Sequence, residues 1–133
     1  MIKHFNQETN SEYFTEIYDF KGQWDVPSRC GLKIVKNNGQ TIVIATELYA
    51  ENPGTSVTNF CASLATQICS EFAIDHDKVI FIVHTPDAKS KLTFLNESFF
   101  QVDFSWNGSK FIDPKWNQIE KVKVDDLIRN SQY

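Results

Sequence analysis

Glu47 and His84 are the side chains of this sequence best suited to acid–base chemistry, because each lies at the end of a short apolar run. A carboxylate beside an imidazole fixes the ring tautomer and holds the pKa of the histidine near neutrality, as a general base requires. A hydrogen-bonded pair that only stabilises the ends of two strands is the alternative, since non-catalytic groups often form such pairs. Glu47 and His84 are therefore the candidate catalytic residues.

The segment between these two residues is polar and could bind an anion. Its four candidate ligand-binding side chains are Asn52, Thr55, Ser56 and Asn59. Free N–H groups at the start of a helix, with hydroxyl groups beside them, attract negative charge. Together with Pro53 and Gly54, however, the same residues supply what a tight turn and a helix N-cap need. The sequence leaves both interpretations open.

Metal and redox chemistry have little support in the sequence. His4 and His76 lie in polar stretches, and no three ligands occur at a recognised metal-binding spacing. Cys30, Cys61 and Cys69 are an odd number of cysteines without a C-x-x-C pair. We expect buried thiols in a reducing cytoplasm, no metal site and no cofactor.

The elements that position the candidate residues centre on one amphipathic helix, predicted over residues 56–72. Its apolar stripe has helical spacing and consists of Val57, Phe60, Cys61, Leu64, Ala65, Ile68 and Phe72. The apolar runs on either side, 41–48 and 79–83, predict strands buried on both faces. Strand, helix and strand predict a right-handed βαβ crossover with parallel strands. Residues 47, 56 and 84 then meet at the carboxyl edge of the sheet, where α/β proteins commonly bind ligands.

The remaining elements extend this unit on both sides. Residues 30–36 and the Asn37-Asn38-Gly39 turn predict a hairpin, and alternation over 99–106 followed by Asn107-Gly108 predicts another that leads into 110–112. Residues 124–130 suit a short terminal helix. The N-terminal aromatic residues fit a short helix opened by Ser11 or a strand, and we favour the helix.

The predicted fold class is α+β in a single domain over residues 1–133. It is a two-layer sandwich, in which a mixed sheet of about five strands contains the βαβ crossover and one long helix packs on one face. A length of 133 residues with 41% hydrophobic content is sufficient for one core.

A polar sheet face is a second candidate surface, formed by Phe99, Gln101 and Asp103 of the alternating strand. If no helix covers it, exposed aromatic and polar side chains suit a protein partner or single-stranded nucleic acid. The alternative is that an N-terminal aromatic residue covers Phe99, and the candidates are Phe14, Tyr18 and Trp24.

Charge and hydropathy exclude several classes of function. With 13 Lys and Arg against 17 Asp and Glu, the net charge of −4 disfavours nucleic acid and acidic membranes as partners. The longest strongly apolar run, 79–83, is far shorter than the roughly 20 residues that span a bilayer. The first residues lack the apolar region of a signal peptide, so we expect a cytoplasmic protein without membrane contact.

The run Thr46-Glu47-Leu48, continued by Asn52-Pro53-Gly54-Thr55-Ser56-Val57-Thr58-Asn59, resembles small uncharacterised bacterial proteins found on plasmids and other mobile elements. The resemblance covers roughly residues 41–86, and this run is its specific part. It implies a bacterial cytoplasmic accessory protein and brings no catalytic residues with it.

Three functions remain as hypotheses. The first is a non-enzymatic binding or interaction module that holds a protein partner on the exposed sheet face or in the crevice around Glu47, Asn52, Thr55, Ser56, Asn59 and His84. A homodimer through an edge strand at 30–36 belongs to the same hypothesis. The second is a small hydrolase or transferase for an anionic substrate, with His84 as general base and Glu47 orienting it. The third is a nucleic-acid-binding accessory factor, which needs a basic cluster formed by Lys33, Lys36, Lys110, Lys115, Lys121 and Lys123.

Overall fold

A computed structural model describes residues 13–21, 27–37, 39–47, 57–85 and 97–130. Within these ranges, six strands form one mixed sheet in the order of the chain. The strands are β1 (Glu16–Lys21), β2 (Pro27–Asn37), β3 (Gln40–Glu47), β4 (Val79–Thr85), β5 (Ser98–Trp106) and β6 (Phe111–Ile119). The helices are α1 (Val57–Glu71) and α2 (Lys121–Asn130). The α+β class is confirmed, with six strands instead of about five.

The additional strand is β1, where we expected a helix. Tyr18 and Phe20 point into the core, while Glu16, Asp19 and Lys21 are exposed. The spacing of the apolar residues in this segment fits both a helix and a strand. Pairing with β2 stabilises the strand. The helix expectation for this segment is therefore wrong.

The centre of the sheet is the parallel pair β3 and β4, in a register that runs from Thr41 opposite Val79 to Thr46 opposite His84. Every other neighbouring pair of strands is antiparallel. Ile42, Val43, Ile44 and Ala45 are all 0% exposed, as expected for a strand covered on both faces. The link from Glu47 to Val57 lies outside the described residues, so the right-handed crossover stays a prediction.

The two helices cover opposite faces of the sheet. Leu64 and Ile68 of α1 pack in one cluster with Val43, Ala45, Phe81 and Val83. Val124 of α2 packs in another with Ile42, Ile44, Ile82 and Phe99. Because consecutive strand residues point to opposite faces, these clusters lie on opposite sides of the sheet. The expected two-layer arrangement is therefore replaced by helix, sheet and helix.

Among the described strands, β1 and β6 are the edges of the sheet. Residues 30–36, the expected edge, belong to β2 and pair with β3 along this whole segment. On the other side, β1 covers only part of it, because the β1–β2 register ends with Glu16 opposite Leu32. The homodimer through 30–36 therefore stays a prediction. Pro114 lies within β6, where a missing N–H is tolerated at an edge. None of the helices in the described ranges is long and apolar enough to cross a membrane.

Candidate functional site

His84 lies in β4, one residue before the strand ends, and its side chain points toward the α2 face. The residue is 3% exposed. Its ring stacks nearly parallel to Phe99, with centroids 4.6 Å apart and an interplanar angle of 13°. The ring of Tyr13 is tilted against it at 4.8 Å. The imidazole is therefore part of the packed interior.

Both ring nitrogens of His84 have partners inside the protein. Nδ1 lies 3.2 Å from Oγ1 of Thr46, and Nε2 lies 2.9 Å from Oε1 of Glu97. A neutral ring that donates its Nε2–H to the carboxylate and accepts the Thr46 hydroxyl at Nδ1 satisfies both contacts. Thr46 is itself 1% exposed, so this hydroxyl is closed to solvent as well.

Burial lowers the pKa of His84 from its ordinary value, and this effect outweighs the contact with Glu97, which acts in the opposite direction. The positive charge of Lys121 adds to the lowering. The imidazole is thus neutral at pH 7, because desolvation penalises the charged form. The contact with Glu97 is a hydrogen bond to a carboxylate and not an ion pair.

A second set of polar contacts connects the residues before β1 with α2. The Tyr13 hydroxyl donates to Oδ1 of Asp125 over 2.7 Å, and Nζ of Lys121 lies 3.2 Å from Oδ2 of the same carboxylate. The ammonium of Lys121 is also 5.5 Å from the centroid of the Tyr13 ring. Burial raises the pKa of the Tyr13 hydroxyl above its ordinary value, so the hydroxyl remains a donor. Tyr13 thereby joins the buried imidazole to a partly exposed cluster on α2.

The structure does not bring the two predicted catalytic residues together. Thr46 shares a face with His84, and because consecutive strand residues point to opposite faces, Glu47 points to the α1 side. The carboxylate partner of His84 is Glu97. Sequence reasoning could not find Glu97, because its approach depends on the β4–β5 register, which places His84 opposite Phe99.

The predicted anion site can be followed only in part. Asn52, Thr55 and Ser56 lie outside the described residues, as does the side chain of Asn59, whose backbone belongs to α1. The first turn of α1 is irregular at Phe60, with φ −127° and ψ 29°. The free N–H groups at the start of α1 are therefore not arranged as in a regular helix, which is the arrangement that the predicted anion site requires.

The predicted platform around Phe99 is closed. Phe99 is 2% exposed, and the ring of Tyr13 contacts it edge-on at 4.9 Å. Tyr13 was not among the three aromatic residues that we expected to cover Phe99. Asp103 is exposed on the same strand, opposite Lys115, and its carboxylate accepts the side-chain amide of Asn117 at 3.4 Å.

An open groove of about 670 Å³ lies elsewhere, between the edge strand β1 and α1. Tyr18, Asp19 and Lys21 line its sheet side. Gln67, Ser70 and Glu71 line its helix side. The Glu71 carboxylate accepts the Tyr18 hydroxyl at 2.8 Å, and Ser70 is exposed. Sequence reasoning missed this groove, because it depends on a strand where we expected a helix.

The described part of the chain contains no group of three His, Cys, Asp or Glu side chains that could hold a metal ion. It does contain a buried imidazole paired with a partly exposed carboxylate, His84 and Glu97, and an open groove of mixed polarity. Comparison of the chain with protein-family models, with curated proteins and with solved structures gave no match.

Proposed function

We propose that this chain is a non-enzymatic interaction module, a bacterial cytoplasmic accessory protein that binds a protein partner in the groove between β1 and α1. The observation that carries the proposal is the groove itself, since it combines about 670 Å³ of open space with the main chain of a sheet edge. Concave surfaces with a few converging polar groups are the usual binding sites of proteins. The resemblance of residues 46–59 to plasmid-borne bacterial proteins supports the proposed bacterial origin and cytoplasmic location.

The contacts of His84 support a binding function over catalysis. A general base must reach the proton that it removes, directly or through one water. Here both ring nitrogens bind protein groups, and His84 and Thr46 are 3% and 1% exposed. We therefore assign the His84–Glu97 pair a structural role, in which it holds the start of β5 against the end of β4.

The binding proposal can be tested by selecting random linear dodecapeptides on the folded chain and measuring their affinities. Ser70→Arg fills the groove, while Ser105→Arg makes the same change at an exposed serine of β5. We expect selected peptides to bind the wild type and Ser105→Arg alike, and to lose at least about tenfold, roughly 1.4 kcal/mol, on Ser70→Arg. Hydrogen exchange should slow over residues 16–21 and 66–71. Equal binding to both variants, or protection confined to other segments, contradicts the proposal.

A small hydrolase or transferase acting on an anionic substrate is the second candidate, and the 2.9 Å contact between His84 and Glu97 favours it. Glu97 replaces Glu47 as the orienting carboxylate in this version, and Lys121 supplies positive charge nearby. A panel of phosphate and carboxylate esters tests it. Turnover by the wild type that is lost in both His84→Gln and Glu97→Gln, with folding intact, establishes the enzyme. Absence of turnover across the panel favours the binding module.

A further inference from the structure

We infer that the partner enters the groove as an extended segment that adds to β1 as a seventh strand and displaces the side-chain amide of Gln67. This inference rests on the proposed function and specifies the chemistry of the ligand. It is carried by the contact between Gln67 and the main chain of Lys21.

Gln67 occupies the position that a neighbouring strand takes in a sheet. The Lys21 N–H donates to Oε1 of Gln67 over 3.1 Å, and Nε2 of Gln67 donates to the Lys21 carbonyl over 3.0 Å. A side-chain amide presents the same C=O and N–H groups as a peptide bond. The Gln67 amide therefore mimics a peptide group, and the ligand that the β1 edge binds is polypeptide main chain.

The Lys21 contact also shows which groups of β1 point away from the sheet. In an antiparallel pair, the N–H and C=O of one residue point to the neighbouring strand, and those of the next residue point away. Because Lys21 directs both groups outward to Gln67, Asp19 and Ile17 do so as well. These three residues can hydrogen-bond to a segment of about six residues, since only every second residue of an added strand bonds to the edge.

Displacement of Gln67 is a small energetic step. Both of its contacts with Lys21 are exposed, and an incoming main chain replaces them with bonds of the same kind. The released amide keeps a second partner, because Nε2 lies 3.2 Å from Oγ of Ser63. In the free protein, the Gln67 amide therefore satisfies the N–H and C=O groups of Lys21. It competes only weakly with a ligand that binds the same groups.

The charges around the groove favour a basic segment. Glu71 is an exposed carboxylate on the helix side of the groove, whereas the side chains of Asp19 and Lys21 point to the other face of the sheet, because Tyr18 and Phe20 face α1. Arg29 lies opposite Asp19 across the β1–β2 ladder, so Glu71 is the main attraction for a cation. Glu71 accepts a hydrogen bond from the Tyr18 hydroxyl, and this neutral donor does not cancel the charge of the carboxylate.

A second copy of the chain is the competing occupant of this edge. Residues facing each other in adjacent strands lie on the same face of a sheet, so a two-fold pairing of β1 with itself centres on one residue. Centred on Phe20, it sets Asp19 opposite Lys21 twice and pairs opposite charges. Such a dimer supplies no cation to Glu71 of α1, whereas a basic segment of a different protein does. Sedimentation of the wild type and Gln67→Ala without peptide distinguishes the two, because a dimer of either protein overturns a different protein as the occupant.

Calorimetry with capped hexapeptides tests the inference. The probes are an alternating Arg-Val peptide, its Glu-Val counterpart, and two Arg-Val peptides N-methylated at either the odd or the even amides. We expect the basic peptide to bind at least about tenfold more tightly than the acidic one, and Glu71→Gln to reduce that ratio. One methylated peptide should lose binding while the other keeps it, because only alternate amides face β1. Gln67→Ala should tighten binding by about threefold to tenfold, because it removes the competing amide.

Several results overturn strand addition. They are equal binding of both methylated peptides and the parent, weaker binding to Gln67→Ala, or no binding of any hexapeptide to wild type and Gln67→Ala. If selected dodecapeptides still protect the groove in those cases, the interaction module stands and only its mode of recognition is wrong. If no peptide uses the groove, both proposals fail.

Discussion

Thr66 and Gln67 are consecutive residues of α1, and they hydrogen-bond to the main chain of opposite edge strands. Oγ1 of Thr66 accepts the Phe111 N–H of β6 at 3.0 Å, and the amide of Gln67 binds the N–H and C=O of Lys21 in β1 at 3.1 and 3.0 Å. The sheet therefore curves around α1 until both edges reach it. Covering edges in this way prevents unspecific strand pairing.

The two edge contacts should be separable by amide exchange. Thr66→Val removes the acceptor of the Phe111 N–H, and Gln67→Ala removes the acceptor of the Lys21 N–H. Each variant should speed exchange of its own amide by roughly fivefold, as expected for the loss of one hydrogen bond of about 1 kcal/mol. Each is the control for the other in an NMR exchange experiment. Acceleration of both amides in both variants means that α1 has moved as a whole.

The stability of the fold should depend on pH through His84. Burial lowers its folded pKa below the ordinary 6.5, so below that pH the unfolded chain binds the proton more readily than the folded one. The free energy of unfolding should fall as the pH decreases below about 6.5, by at most about 1.4 kcal/mol per unit from one group, and level off above it. Urea unfolding across pH measures this. His84→Gln should flatten the slope relative to the control His76→Gln, and an unchanged slope contradicts the assignment.

The Thr46 hydroxyl should donate to Nδ1 of the His84 tautomer that Glu97 selects, because a carboxylate only accepts whereas a hydroxyl does both. Thr46→Val keeps the volume but leaves the buried Nδ1 without a donor, at a cost of about 1–3 kcal/mol. The ¹⁵N resonance of Nδ1 should move in this variant. Thr46→Ser retains the hydroxyl, so it should keep the wild-type resonance. A shift of equal size in both variants indicates that packing, and not the hydrogen bond, sets the ring environment.

Gly31 should tolerate no side chain, because the Phe14 ring packs directly against it. A Cβ at Gly31 would overlap the ring of Phe14, and Phe14 is itself 4% exposed. Gly31→Ala should lower the free energy of unfolding by about 1–3 kcal/mol through overpacking. In a Phe14→Ala background the same change should cost less than about 0.5 kcal/mol, since the clash is gone. Additive costs in this double-mutant cycle are the contrary result.

The thiols should be unreactive in the folded protein. Burial raises the pKa of both Cys61 and Cys69 to about 11 and that of Cys30 further, and all three residues are buried. At pH 8 a pKa near 11 leaves roughly 0.1% thiolate, the form that attacks disulfide reagents. An Ellman titration should detect no fast thiol in buffer and three in guanidinium chloride. A rapidly reacting thiol in buffer contradicts the burial.

Elements whose pattern is local can be predicted from the sequence. The period of the apolar residues predicted a helix at 56–72, and the structure has α1 at Val57–Glu71 with an irregular backbone at Phe60. The Asn107-Gly108 pair predicted the second hairpin, but the loop between Trp106 and Phe111 has four residues instead of two. Gly108 has φ 102°, and Oδ1 of Asn107 accepts the N–H groups of Ser109 and Lys110. Four consecutive apolar residues predicted a strand covered on both faces, as Ile42 to Ala45 are.

How these elements combine into a site depends on contacts between segments that are distant in the sequence. Tyr13 and Glu97 reach His84 because strand register and chain path bring them there, and neither is visible in the spacing of residues along the chain. The N-terminal segment became β1 because β2 offered it an edge, although its residues suit a helix equally well. The spacing of apolar residues along the chain, every two residues in a strand or every 3.6 in a helix, is set by neighbours in sequence. The register of a strand, the sheet face that is covered and the partner of each side chain are set by distant segments.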